Sequence, residues 1–322
     1  MKTSDAPAMA RGGSTAPATG AATTTLLTDD LMREVRRLRV RTRRRVNNLL
    51  SGEYHSAFRG QGVEFAEVRE YQPGDDVRAI DWNVTARSSD EGRAYIKRFS
   101  EERQLTVMLV VDRSASGAFG TGDRAKSRVG VELAAVVALA ATTNSDRIGL
   151  VIFSDGIDRF VPPGRGMGQA VRVMTELLAY HEHGGATDLA GTLKFVGQVL
   201  RRRAVVFVVS DVIAPDSEKG LRLLAARHDV VAVTVADPRE RELPPVGLIE
   251  LRDAETGERR VIDASSGAVR RAYAGAAENR ERELAGLLRR CGVDRIAVST
   301  DRPFVRELAA YFRLRERRRV HG

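Results

Sequence analysis

Five short segments of the chain are apolar at nearly every position and rich in β-branched residues: 105–111 (LTVMLVV), 147–153 (RIGLVIF), 204–210 (AVVFVVS), 229–235 (DVVAVTV) and 294–299 (DRIAVS). Runs of this length without alternation predict strands buried on both faces, as in a parallel sheet covered by helices. Helical apolar spacing over 125–142, 168–180, 189–202, 218–228 and 269–290 supplies the crossovers. The alternation predicts an α/β fold with a doubly wound, mostly parallel sheet. One stretch interrupts it: 249–263 (IELRDAETGERRVID) reads as a hairpin turning around Thr256 and Gly257, an insertion over 247–264.

The pattern changes upstream. Leu31, Val35, Leu38, Val46 and Leu49 recur at helical spacing, which predicts an amphipathic helix over 28–50. Residues 58–98 mix alternating stretches such as EFAEVREY with the turn QPGDD, a small β-rich unit. The opening segment is rich in Ala, Thr, Gly and Pro and lacks a secretory apolar core. The expected division is a disordered tail (1–27), a basic helix with the β-rich unit (28–103), the α/β domain (104–312) and a basic tail (313–322).

Composition narrows the partners. The net charge of +9 invites a nucleic-acid reading, but its location decides. Residues 33–45 hold eight arginines against Glu34, and 313–319 hold five against Glu316, so the remainder of the chain is slightly acidic. No aromatic residues interleave with those arginines, and nucleic-acid binding is not expected. A single cysteine, Cys291, excludes a disulfide framework and a thiolate zinc cluster and suits a reducing cytoplasm. No apolar run reaches the roughly 20 residues of a membrane span.

In a doubly wound sheet ligands collect beyond the carboxyl ends of the strands. There the sequence places Asp112, Ser114 and Ser116 (DRSAS), Thr187 with Asp188 (GGATD), and Asp211 (VVSD). Carboxylates and hydroxyls suit a hard divalent cation, magnesium or manganese, which takes oxygen ligands and retains water. The plain alternative is a set of strand-to-helix turns capped by Asp or Ser.

These three loops resemble the metal-ion-dependent adhesion site of von Willebrand factor A domains, a Rossmann-like fold. The resemblance implies direct ligation by Ser114, Ser116 and Thr187. Asp112 and Asp211 would bind directly or through water, and one position would be left for a partner's carboxylate. Upstream, EFAEVREYQPGDDVRAIDWNVTAR (64–87) ahead of such a domain resembles the family called domain of unknown function fifty-eight, over roughly residues 30–315. That resemblance implies an adaptor or effector of a MoxR-type AAA+ ATPase acting on an acidic client. Many members carry membrane spans; here no such segment is expected. The chain has no phosphate-binding loop, so nucleotide chemistry belongs to the partner.

The upstream signature comprises Arg69, Tyr71, Pro73, Gly74, Asp75, Asp76, Arg78, Asp81 and Trp82. Pro-Gly sets a turn, and the aspartates accept from turn amides or pair with Arg78 and Arg87. Trp82 is expected to pack between this unit and the sheet, with partner binding as the alternative. Catalytic readings fare worse. Ser114 stands where a haloacid-dehalogenase-type phosphotransferase needs a second aspartate, and His181 and His183 are explained by a helix C-terminus. The expectation is a metal-dependent protein-interaction module rather than an enzyme; a metal-dependent hydrolase and a nucleic-acid binder are the rivals. Arg36, Arg37, Arg43 and Arg44 would present a cationic face to an acidic patch on the ATPase or its client.

Overall fold

The structure is a computed structural model that describes residues 33–40, 42, 51–58, 64–87, 94–100, 104–120, 124–180, 187–210, 215–252 and 257–321. Its strands are β1 (Glu64–Glu70), β2 (Tyr95–Ser100), β3 (Thr106–Asp112), β4 (Arg147–Phe153), β5 (Ile157–Gly164), β6 (Val205–Val209), β7 (Asp229–Ala236), β8 (Leu248–Arg252), β9 (Arg259–Asp263) and β10 (Asp294–Ser299). Its helices are α1 (33–40), α2 (Ser51–Phe58), α3 (Trp82–Arg87), α4 (Lys126–Thr143), α5 (Gly166–Ala179), α6 (Leu189–Val199), α7 (Glu218–Ala225), α8 (Gly267–Cys291) and α9 (Val305–His321).

Six strands make the central sheet in the order β10-β7-β6-β3-β4-β5, parallel except for β5. The chain enters at β3, winds outward through β4 and β5, returns beside β3 as β6, and winds the other way. The order therefore reverses between β3 and β6. Strand side chains alternate between faces. Val107, Leu109 and Val111 pack toward α4, α5 and α9, with α1 and α2, while Met108 and Val110 pack toward α6, α7 and α8. Both faces are covered, which is why these strands read as unbroken apolar runs.

Strand β5 has no counterpart in the sequence reading. It carries Pro162 and Pro163, which cannot donate to a ladder and so confine it to the sheet edge. Side chains complete its bonding: Gln169 Nε2 donates to Pro162 O at 2.8 Å and to Ile148 O at 3.0 Å, and Arg147 donates to Pro163 O at 2.9 Å. Gly149 on β4 makes room, since a Cβ there would sit 3.0 Å from Val161 O. The insertion at 247–264 is the antiparallel pair β8–β9.

The carboxyl-terminal basic tail is a correction: residues 313–321 continue α9. The sequence showed arginines without their partners. Arg315 pairs with Asp229 and, at 3.3 Å, with Asp294; it donates to Ala57 O and lies 4.6 Å over the Phe58 ring. Arg313 meets Glu53 at 2.7 Å. Phe58 and Tyr54 also pack on Phe312, fastening α2 to α9. Asp146 anchors α2 from the other side, accepting from Tyr54 Oη at 3.1 Å and from the Leu105 amide at 2.8 Å. Burial, then the neighbouring Asp146, hold the Tyr54 hydroxyl well above its ordinary range.

Two stability predictions follow from this packing. Arg315→Met leaves Asp229 without its cation and Asp294 with Arg318 alone, and with these groups partly exposed it should cost about 2 kcal/mol in urea unfolding at neutral pH. The more exposed Arg313→Ala should cost less than about 1 kcal/mol. His228, 4% exposed between α7 and β7, has neither ring nitrogen hydrogen-bonded among the described residues. Burial first, then Arg227 and Arg203, lower its pKa below 6.5. The unfolded chain therefore takes up the proton first, and stability present above about pH 6.5 is lost as pH falls below it. Unfolding free energies measured from pH 8 to 5 should decline along this limb, and His228→Leu should flatten it.

Candidate functional site

The serine loop begins at the reversal of strand order. Asp112 ends β3 and Ser210 follows β6. Ser210 Oγ donates to Asp112 Oδ2 at 2.6 Å, and the Ser114 amide donates to Oδ1 at 2.9 Å. The buried carboxylate is thus held from both strands. After it the chain makes one 3-10 turn, with the Gly117 amide on Ser114 O and the Phe119 amide on Ser116 O. That turn brings Ser114 Oγ, 1% exposed, to 3.0 Å from Ser116 Oγ. Two oxygens at about 2.1 Å from an octahedral cation, on adjacent vertices, stand about 3.0 Å apart. The two hydroxyls are hydrogen-bonded to each other beside a fixed carboxylate, and the same spacing would fit two adjacent vertices around magnesium.

The other expected ligands are placed less completely. Thr187 is half-buried just before α6. The next amide, of Asp188, donates to Ser154 O at 2.7 Å, which sets Thr187 at the carboxyl end of β4, beside the end of β3. The Asp188 carboxylate is used as the α6 cap, accepting from the Gly191 amide at 2.8 Å. Asp211, His181 and His183 lie outside the described residues, so the structure assembles Asp112, Ser114 and Ser116 and adjoins Thr187.

Three participants were missed in the sequence: Ser210, Ser154 and Arg113. Ser154 Oγ donates to Asp158 at 2.8 Å. The Arg113 amide donates to Phe153 O, and its guanidinium donates to Tyr180 O at 3.0 Å. Each directly follows a strand, which is a signal in the sequence, but the partners of Ser210 and Arg113 lie far along the chain. A second buried network lies nearby. Asp237, 1% exposed after β7, accepts from Thr300 Oγ1 at 2.7 Å, and its amide donates to Glu240 Oε2. Glu240 Oε1 meets Lys126 Nζ at 2.6 Å. Lys126 opens α4, the helix that follows the serine loop, so loops after three strands are linked.

The upstream signature folds as a polar turn between β1 and α3. Asp75 meets Arg69 at 2.6 Å and the Gln72 amide at 2.9 Å; Asp76 accepts from the Arg78 amide. Pro73 and Gly74 (φ +111°) supply the turn, and the Tyr71 amide pairs with Ala94 O. Asp81 is buried and caps α3 through the amides of Asn83 and Val84. Trp82 corrects the expectation of a packed indole. Asp81 takes the inward position, its amide on Tyr95 O, and Trp82, next in the chain, is 68% exposed. Of the two expected roles of these aspartates, acceptance from turn amides is seen, and Asp75 adds the bridge to Arg69; the Arg87 side chain lies outside the described residues. On α1, Val35 and Leu38 are buried while Arg36 and Arg37 are exposed; Arg43 and Arg44 lie outside the described residues.

A family profile described as "Protein of unknown function DUF58" matches residues 67–283. The chain belongs to the DUF58 family. The DUF58 chain is 33% identical over 292 residues to the uncharacterized protein Rv1480 of Mycobacterium tuberculosis, covering 89% of this chain and 90% of that protein. It is 43% identical over 54 residues to the uncharacterized protein YeaD of Bacillus subtilis, covering 17% of this chain and 13% of that one. Among solved structures it is similar to the conserved hypothetical protein BatB from Bacteroides thetaiotaomicron, at 12% identity and TM-score 0.42 over 66% of this chain and 99% of that one. It is also similar to a von Willebrand factor type A protein from Catenulispora acidiphila, at 12% identity and TM-score 0.36 over 66% of this chain and 42% of that one. Among the described residues of this DUF58 protein, no helix is long and apolar enough to cross a membrane.

The bond between strands is directly testable. Ser210→Ala removes a charged hydrogen bond from a buried carboxylate and should cost about 2 kcal/mol in urea unfolding with chelator present. Combined with Asp112→Ala, the loss should fall short of the sum of the single variants.

Proposed function

We propose that this DUF58 protein is a metal-dependent protein-interaction module. Asp112, Ser114, Ser116, Thr187 and Asp211 would hold a divalent cation, magnesium or manganese. The cation would supply a Lewis-acidic position to which a partner's Asp or Glu carboxylate bonds. The chain's own residues do the positioning: Ser210 and the Ser114 amide orient Asp112, and the 3-10 turn sets the two serine hydroxyls. The observation that carries this reading is the 3.0 Å hydroxyl pair beside an oriented carboxylate at the point where the strand order reverses. Family resemblance adds the partner: a MoxR-type AAA+ ATPase, for which this chain is an adaptor or effector in the cytoplasm. The exposed Arg36 and Arg37 on α1 would steer an acidic surface of that partner or its client toward the site.

Metal binding should be visible without any partner. A cation bound only by the folded state at a hundredfold excess over its Kd contributes about 2.7 kcal/mol, so magnesium should raise the thermal midpoint by several degrees. Ser114→Ala and Asp211→Ala should abolish that rise, and Thr187→Ala should reduce it. A wild-type midpoint indifferent to magnesium and manganese, with no heat of binding by calorimetry, would refute the reading.

A further inference from the structure

The polar residues of the upstream signature are occupied with one another, and the residue types that dominate protein contacts are left in solvent. Asp75 serves Arg69 and the Gln72 amide, Asp76 serves the Arg78 amide, and Asp81 is buried as the α3 cap. These bonds fix the turn from residue 72 to the first turn of α3. On it stand Val77, 60% exposed, and Trp82, 68% exposed, with the exposed Arg78 between them in sequence. The Arg78 guanidinium holds no carboxylate among the described residues. Trp82 is the chain's only tryptophan.

Asp81, buried as the α3 cap, turns Trp82 outward, and leaving an indole and an isopropyl group in water costs free energy that burying them against a partner would release. Tryptophan and arginine are the side chains most enriched among residues that dominate binding energy. A turn already locked by its own hydrogen bonds loses little further freedom on association. Charge indicates the occupant. The turn's carboxylates already accept hydrogen bonds, whereas the Arg78 guanidinium meets no carboxylate among the described residues and so favours an acidic group on the occupant.

We propose that Val77, Arg78 and Trp82 form a second docking surface, separate from the serine loop, for a protein segment that presents an apolar pocket or side-chain cluster beside an Asp or Glu. Trp82 and Val77 enter the apolar part, and Arg78 pairs with the carboxylate. The surface does not depend on metal at Asp112, so its failure and that of the metal-site reading are distinguishable.

The probe is a phage-displayed library of random peptides panned on the whole protein in the presence of chelator. The enriched sequences are expected to place an aromatic or aliphatic residue close to an Asp or Glu. Synthetic copies should shift the emission of the single tryptophan toward the blue. Their affinity should fall about 30-fold in Trp82→Ala, as for a central tryptophan anchor, and by a smaller factor in Val77→Asp and Arg78→Glu, while Asp112→Ala binds as the wild type does. All three surface positions are exposed, so unchanged thermal melts will show that the variants fold. The proposal is overturned if panning yields no common pattern, if the enriched peptides lack acidic residues, or if they bind Trp82→Ala as well as the wild type. A blue shift that grows with protein concentration alone also overturns it, because the occupant is then a second copy.

Discussion

The hydrogen bond from Ser210 to Asp112 joins the two strands at which the winding of the sheet reverses. The helices that follow those strands, α4 and α7, pack on opposite faces of the sheet, the arrangement in which ligands collect beyond the strand ends. A carboxylate buried there is costly unless its oxygens are matched. Here one oxygen is matched by the facing strand and the other by the amide of its own loop. Everything proposed for the serine loop depends on this fixed carboxylate. Without it Ser114 and Ser116 would be ordinary turn hydroxyls.

The central sheet was legible because strands covered on both faces must be apolar throughout, a pattern few other structures impose over 104–299. What escaped was decided by contacts far apart in sequence. Strand β5 carries two prolines and is completed by side chains of Gln169 and Arg147, and no local periodicity announces such an arrangement. The arginines of α9 looked like a solvated tail because Asp229 and Asp294, which neutralise Arg315, are distant in the chain.

The site was legible in part. Asp112, Ser114 and Ser116 are local in sequence, and one strand followed by one turn positions all three. Ser210 was hidden because its role rests on a partner 98 residues away, Asp112 on β3, which no local pattern announces. Trp82 shows the reverse error. An indole in a segment full of polar turn residues suggests burial, but Asp81, able to cap α3, occupied the inward position. The polar side chain won because a helix amide left unpaired in the interior costs more than an apolar side chain left in water.

The contact between α2 and α9 closes nearly the whole length of the chain, with Glu53 and Arg313 separated by 260 residues. Such a contact cannot form until α9 has left the ribosome. During synthesis the β3–β7 layers would wait with one apolar face incompletely covered, since Phe304, just before α9, and Leu308 and Phe312 within it belong to the core on that side. Long-range closure of this kind is slow, and the exposed intermediate is prone to association. Residues 304–318 therefore act as the lock on a fold whose helix α2 has been waiting for them, and a ribosome stalled short of α9 would display a chain that chaperones treat as unfinished.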